Sequence, residues 1–267
     1  MKVYICSDIE GTCGFSKTEE GTFGYTSYPY FASLMTSEVK HACLGALDAG
    51  ATEILVHDAH GCARNINPSE LPEKVEILRG STGDPYAMMC KLDKSFDACF
   101  LTGFHSGVGS DGNTASHTFN RKTSAMFLND MPLSEMLFDI YTATNIGVPT
   151  CLITGDQNIC NQAKELIPNI TTVTTLKGVA FGSISTAPKV AQELIKQGAT
   201  KALSGDYKSC FAKLPSSYTM RIRFNNHFDA YFNSFYPNIK QLDSLTLEYT
   251  SKNWYDILTM VHFVLDK

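Results

Sequence analysis

The sequence has no C-x-x-C pair, no run rich in Lys and Arg, and no apolar stretch near the roughly 20 residues of a membrane span. Without C-x-x-C pairs, and with nine cysteines (an odd number) at uneven spacing, there is neither a cysteine-framed zinc motif nor a disulfide framework. The thiols read as small reduced hydrophobes of a cytoplasmic protein. Without a basic run, and with a net charge of −5, nucleic acid is not an expected partner. The lack of long apolar runs argues against a membrane span, and the N-terminus enters a strand pattern with no basic and apolar leader, so no secretory signal is expected. The glycine-containing stretches 103–112 and 178–182 fit neither a P-loop nor a dinucleotide fingerprint. No G-x-S-x-G elbow surrounds Ser116 or Ser134, so a serine nucleophile has no support.

What remains is ordinary globular composition, 43% hydrophobic and 18% charged over 267 residues, enough for one large or two smaller domains. Val3–Cys6, Ile54–Val56, Val75–Leu78, Phe96–Thr102, Cys151–Thr154 and Thr171–Leu176 are short apolar runs without in–out alternation, the pattern of strands covered on both faces. Helices are expected near Thr36–Ala49, from Ser134 to Gly147, over Gln157–Leu166 and over Ala187–Gln197. Asn129-Asp130 marks a hairpin turn. Tyr218–Phe224 and Leu245–Tyr249 read as strands and the chain from Asn253 as an amphipathic helix. The expected fold is α/β: a mostly parallel sheet with flanking helices, residues 1–185, plus a smaller α+β unit, residues 186–267.

Four segments end in residues that bind metals: Cys6-Ser7-Asp8-Ile9-Glu10, His57-Asp58-Ala59-His60, Gly103-Phe104-His105 and Pro132-Leu133-Ser134-Glu135. Three of them follow an apolar strand directly. Side chains just past the carboxyl ends of parallel strands converge on one crevice. Asp8, Glu10, His60, His105 and Glu135 can therefore meet, and a set of three carboxylates and two imidazoles suits a pair of zinc-like ions. Asp8 has two oxygens with which to bridge, and Asp58 is a candidate to orient His60. His117, in a short polar loop, is a candidate acid, base or nucleophile. Each residue also has an ordinary structural reading: Asp8 and Glu10 as turn caps, His60 and His105 as satisfied histidines, His117 as a surface loop residue, and Glu135 as a charge suited to a helix N-terminus.

Asp8-Ile9-Glu10-Gly11-Thr12-Cys13-Gly14 resembles the D-x-E-G-x-x-G opening of the zinc D-aminopeptidases encoded with bacterial dipeptide permeases. Asp58-Ala59-His60, Gly103-Phe104-His105, Ala115-Ser116-His117 and Asn129-Asp130-Met131-Pro132-Leu133-Ser134-Glu135 resemble that family's later blocks in order and spacing, and Arg223-Phe224-Asn225 extends the likeness toward the C-terminus. The resemblance implies a metallo-aminopeptidase acting on short peptides or amides, often at D-residues. It implies two Zn2+ per subunit, with Asp8 bridging, Glu10 and His60 on one ion, and His105 and Glu135 on the other. It also implies catalysis by His117 and assembly into a homo-oligomer, a decamer of stacked rings. His57 and Cys6 depart from the pattern, which has Asn and Ser there. Other readings of the same residues are a different binuclear hydrolase such as a phosphoesterase, a non-enzymatic peptide-binding protein tied to transport, or a subunit with structural zinc. A closed Cys/His shell, usual for structural zinc, is not what this acidic set offers.

Overall fold

The computed structural model describes residues 1–265. β1 (Lys2–Ser7) leads through a short helix, α1 (Thr18–Gly21), to a long one, α2 (Tyr28–Asp48), and then to β2 (Glu53–Asp58), β3 (Val75–Leu78) and β4 (Ala98–Phe104). A hairpin, β5 (Thr123–Leu128) and β6 (Met131–Pro132), precedes α3 (Glu135–Ile146), β7 (Thr150–Asp156), α4 (Gln157–Leu166), β8 (Thr171–Val179), β9 (Gly182–Ser185) and α5 (Pro188–Ser204). β10 (Tyr218–Phe224), α6 (His227–Asn233), β11 (Lys240–Gln241), β12 (Thr246–Ser251) and α7 (Trp254–Leu265) follow.

Seven strands form one sheet in the order β3-β2-β1-β4-β7-β8-β9, parallel throughout except for the antiparallel edge pair β8–β9. The chain winds outward from β1 to β2 and β3, returns to β4 on the other side of β1, and continues to β7 and β8. The order therefore reverses between β1 and β4, the place where open α/β sheets hold their ligands. Val3, Tyr4, Ile5 and Cys6 are fully buried, as are Ala98 to Leu101, so the non-alternating apolar runs do lie under cover on both faces. α2 and α5 touch at backbone level: a Cβ on Gly45 would sit 2.2 Å from the Lys196 carbonyl oxygen. Only glycine permits that approach.

The second sheet is antiparallel, in the order β11-β12-β10-β5-β6. The β5–β6 turn, Asn129-Asp130, has both residues at positive φ (48° and 67°), the conformation a two-residue hairpin of matching twist requires. The hairpin pairs with β10, some ninety residues further along. α5 in turn packs on α2 and β8. The chain thus passes between the two sheets more often than one cut near residue 185 implies. α7 buries Trp254, Ile257, Leu258, Met260 and Val261, and Trp254 Nε1 donates to Thr142 Oγ1 on α3 at 3.0 Å.

α2 begins at Tyr28 rather than Thr36. Pro29 occupies its first turn and Tyr28 and Phe31 extend its buried face, while Thr36 Oγ1 bonds back to the Ala32 carbonyl at 2.8 Å instead of capping. All nine cysteines are free thiols. Among the described residues no helix is long and apolar enough to cross a membrane.

Glu38, on the buried side of α2, accepts a hydrogen bond from Cys13 N–H through Oε1 at 2.8 Å, and its Oε2 has no partner. Burial pushes this carboxyl up to about 8 from an ordinary 4.5, with the hydrogen bond opposing. Between these two values the folded chain holds a proton that the unfolded chain has released. Stability therefore falls as pH rises through that window and stays lower above it. Glu38→Gln keeps the acceptor and removes the titration. Its melting temperature should match that of the unsubstituted protein near pH 5 and exceed it by several degrees, about 5 °C, near pH 9. A scan of both proteins at the two pH values checks this; equal melting temperatures at pH 9 would show that Glu38 does not titrate there.

Candidate metal centre

Asp8 and Glu10 lie just past the end of β1, and His105 just past the end of β4. Two glycines let these segments press together. A Cβ on Gly11 would sit 2.0 Å from the Phe104 carbonyl oxygen, and one on Gly103 (φ 70°) would sit 2.2 Å from that of Asp8. Asp8 N–H donates to the Thr102 carbonyl and Gly11 N–H to the Gly103 carbonyl, both at 2.8 Å. Asn113 Nδ2 donates to the Glu10 carbonyl at 3.0 Å. The aspartate, glutamate and histidine are thus set on backbone that has little room to move.

His60 and Glu135 come in from either side. His60 opens a loop tied down by Asp58, whose carboxylate accepts from Asn65 N–H, Asn65 Nδ2 and Ile66 N–H. The carboxylate expected to orient the His60 ring therefore holds the loop instead. The ring is oriented by the Gly21 carbonyl, 2.8 Å from Nε2. Glu135 is the first residue of α3, after the N-cap Ser134, whose Oγ accepts from Leu137 N–H. The helix dipole favours the ionised carboxylate there, and Phe119 N–H donates to its Oε1 at 2.6 Å. His117 sits in the loop between β4 and β5, its ring stacked on His105 with centroids 4.5 Å apart and planes 10° from parallel.

The structure brings all six sequence-predicted side chains together. His60 Nδ1 lies 3.0 Å from Asp8 Oδ1 and 2.9 Å from Glu10 Oε2. His105 Nε2 lies 3.3 Å from Asp8 Oδ2 and 3.7 Å from Glu135 Oε2, and His117 Nε2 lies 3.7 Å from Glu135 Oε1. Asp8 belongs to two groups of potential ligand atoms, one with Glu10 and His60, the other with His105 and Glu135, and turns one oxygen toward each. A third group, Glu10, His105 and His117, also falls within ligating reach.

The histidine tautomers show what this arrangement needs. A neutral imidazole has one N–H. In His60 a backbone carbonyl (Gly21) takes it at Nε2, in His105 the Ser106 carbonyl takes it at Nδ1 (2.9 Å), and in His117 the Ala115 carbonyl does so at Nδ1 (2.9 Å). The other nitrogen of each ring then turns a lone pair toward carboxylate oxygens. Asp8 Oδ2, Glu10 Oε2 and His105 Nε2 are buried and make no hydrogen bond. Acceptors facing acceptors in a buried site repel unless positive charge lies between them.

With protons alone the site is compromised. Burial, then repulsion from Glu10, pushes Asp8 up to about 7. Burial would lower His105, but Glu135, Asp8 and Glu10 carry it up to about 9. Burial lowers His117, and neighbouring His105 adds to the effect. Divalent cations would satisfy the same lone pairs without forcing imidazoles to charge, and imidazole with carboxylate is a zinc-type donor set. The residues present therefore fit a metal pair.

Three contributors were not legible in the sequence: the Gly21 carbonyl, the Phe119 amide, and the residues that close the cavity over the site. That cavity, of about 240 Å³, is lined by the six side chains except His105, by the 81–88 segment, and by Val261 and Leu265 of α7. Main-chain donors and acceptors leave no residue-type signal, and α7 reaches the site only through tertiary packing.

A doubly wound sheet with an acidic, histidine-rich crevice at its switch point defines an α/β protein built for metal-assisted hydrolysis. The sequence model of the D-aminopeptidase family matches residues 1–263, and the chain belongs to that family. As a member it is a hydrolase acting on peptide bonds. A curated D-aminopeptidase of Bacillus subtilis (strain 168) is 26% identical over 255 residues, covering 95% of this chain and 92% of that protein. The fold matches, with a TM-score of 0.92 and 23% identity, a solved structure described as the Zn-dependent D-aminopeptidase DppA from Bacillus subtilis, a self-compartmentalizing protease. The match covers 100% of this chain and 97% of that one.

Proposed function

We propose that this chain is a binuclear zinc aminopeptidase that releases the N-terminal residue, a D-amino acid, from short peptides or amides. The observation that carries this reading is the sharing of Asp8 between two ligand groups, with the lone pairs of His60 and His105 facing the carboxylates of Asp8, Glu10 and Glu135. Asp8, Glu10 and His60 hold one ion; Asp8, His105 and Glu135 hold the other. Zinc in such a cradle supplies Lewis acidity for polarising a carbonyl and activating water.

The chain's own groups do the rest. Gly21, Ser106 and Ala115 carbonyls keep the three rings in the tautomers that face the site. Phe119 N–H steadies Glu135 Oε1, leaving Oε2 toward His105. His117 Nε2 faces the cavity with its lone pair, placed to accept a proton and pass it to the leaving amine. α7 and the 81–88 segment restrict water around the reacting carbonyl.

The same reading extends to assembly and location. We infer a homo-oligomer, a decamer, for which exposed Phe228, Tyr231 and Phe235 provide apolar surface to cover. The free thiols suit the cytoplasm. Light scattering should give a mass several-fold above 29.4 kDa; a monomer would contradict the assembly.

A panel of D- and L-aminoacyl amides and dipeptides tests the activity. D-aminoacyl substrates should be cleaved from the free N-terminus, a chelator should remove at least about 99% of the rate, and added zinc should restore it. Turnover that survives complete removal of metal would overturn the reading. Cleavage of phosphodiesters in place of peptides would assign the same residues to phosphoryl chemistry.

A further inference from the structure

His57 lies at the end of β2, in register with Cys6 on β1, and lines the cavity that also holds Asp8, Glu10 and His60. It belongs to none of the potential ligand groups. Its ring is fixed from behind. Nδ1 is 2.7 Å from the Met88 carbonyl and 3.1 Å from Tyr4 Oη, and Tyr4 Oη itself donates to the Cys90 carbonyl at 2.8 Å. A carbonyl only accepts, so Nδ1 carries the hydrogen and Nε2 is left as a lone pair. Burial lowers the pKa of His57, which keeps that lone pair bare near neutral pH.

The cavity is acidic. Besides the three carboxylates of the metal centre it has Asp84 on its wall, and among the described residues neither Lys nor Arg lines it. With zinc bound, the ions offset the three carboxylates of the centre, and Asp84 and the His57 lone pair are what the remaining wall offers to a cationic hydrogen-bond donor. The donor that an aminopeptidase substrate always brings is its terminal ammonium.

We propose that His57 Nε2 receives the α-ammonium of the substrate's leading residue, which makes His57 the residue that selects a free N-terminus. This rests on the aminopeptidase reading of the same site. The Met88 carbonyl and Tyr4 set the direction of the lone pair, so selection is by geometry as well as by charge. A peptide with an acylated amine loses the charge and two of the three donors, and keeps a single N–H fixed in an amide plane to offer Nε2.

The test uses zinc-loaded protein and two probes: alaninol in both enantiomers, whose binding is followed by calorimetry without turnover, and alanine p-nitroanilide. His57→Leu should raise the Kd of alaninol and the KM of the anilide roughly ten- to a hundred-fold, with kcat within about threefold and zinc content unchanged. His57→Gln, whose amide can donate to Met88 and offer its own oxygen, should retain binding within about threefold. In protein labelled with 15N-histidine, the His57 Nε2 resonance should move when alaninol is added. Unaltered alaninol binding by His57→Leu, loss of zinc together with binding, or a stationary Nε2 resonance would each overturn the proposal. If His57→Leu does not fold, the labelled protein and His57→Gln decide. If no peptide or amide is cleaved while alaninol binding still depends on His57, the aminopeptidase reading fails and the amine site stands.

Discussion

Alanine at position 8 is expected to abolish zinc binding and peptide hydrolysis together. Asp8 is the one side chain that belongs to both outer groups of ligand atoms, with Oδ1 3.0 Å from His60 and Oδ2 3.3 Å from His105. In the proposed centre alanine would remove a shared ligand, where replacing Glu10 or Glu135 would remove a ligand to one ion. Groups that merely orient ligands are each worth about 10–100-fold in metal affinity or activity. Loss of a bridging ligand should therefore cost more than roughly a thousand-fold in kcat/KM. Metal analysis after dialysis, run beside a peptidase assay, checks both halves. An Asp8→Ala protein that keeps its full zinc content would remove Asp8 from the centre.

Alanine at position 117 should separate the two effects. His117 Nε2 faces Glu135 Oε1 at 3.7 Å, and its Nδ1–H is committed to the Ala115 carbonyl. As a proton carrier it should contribute about a hundred- to ten-thousand-fold to kcat. His117→Ala is expected to lose that factor while zinc content and KM stay near those of the unsubstituted chain. The ring stacks on His105 and joins Glu10 and His105 in a third group of potential ligands. Zinc content is therefore the deciding readout. If it falls along with kcat, His117 belongs with the ligands.

The positions that converge on the crevice were legible because they obey one rule of α/β sheets. Asp8, His60 and His105 each follow an apolar strand, and the carboxyl ends of parallel strands meet where the strand order reverses. Glu135 was legible through its place at a helix start. What holds these side chains in position was not. Asp58 was the natural candidate to orient His60, yet its carboxylate is consumed by Asn65 and Ile66, and the Gly21 carbonyl orients the ring instead. A main-chain carbonyl can come from any residue, so no residue type announces it.

The fold was readable to a similar depth. The parallel strands appear as uninterrupted apolar runs, and the α+β texture of the C-terminal part is real. The recruitment of the β5–β6 hairpin into the second sheet is not visible locally, because its partner β10 lies far along the chain. β9 and α6 also leave little local signal. β9 is a four-residue edge strand, and α6 is a seven-residue helix whose Phe228, Tyr231 and Phe232 are exposed rather than facing a core. α2 starts at Tyr28, eight residues before the expected start near Thr36.

Anomalous diffraction at the zinc edge from crystals of the zinc-loaded protein tests the central claim most directly. Two peaks are expected in the crevice between β1 and β4, one bounded by Asp8, Glu10 and His60 and the other by Asp8, His105 and Glu135. A single peak, or peaks that leave Asp8 out of contact with either ion, would contradict it.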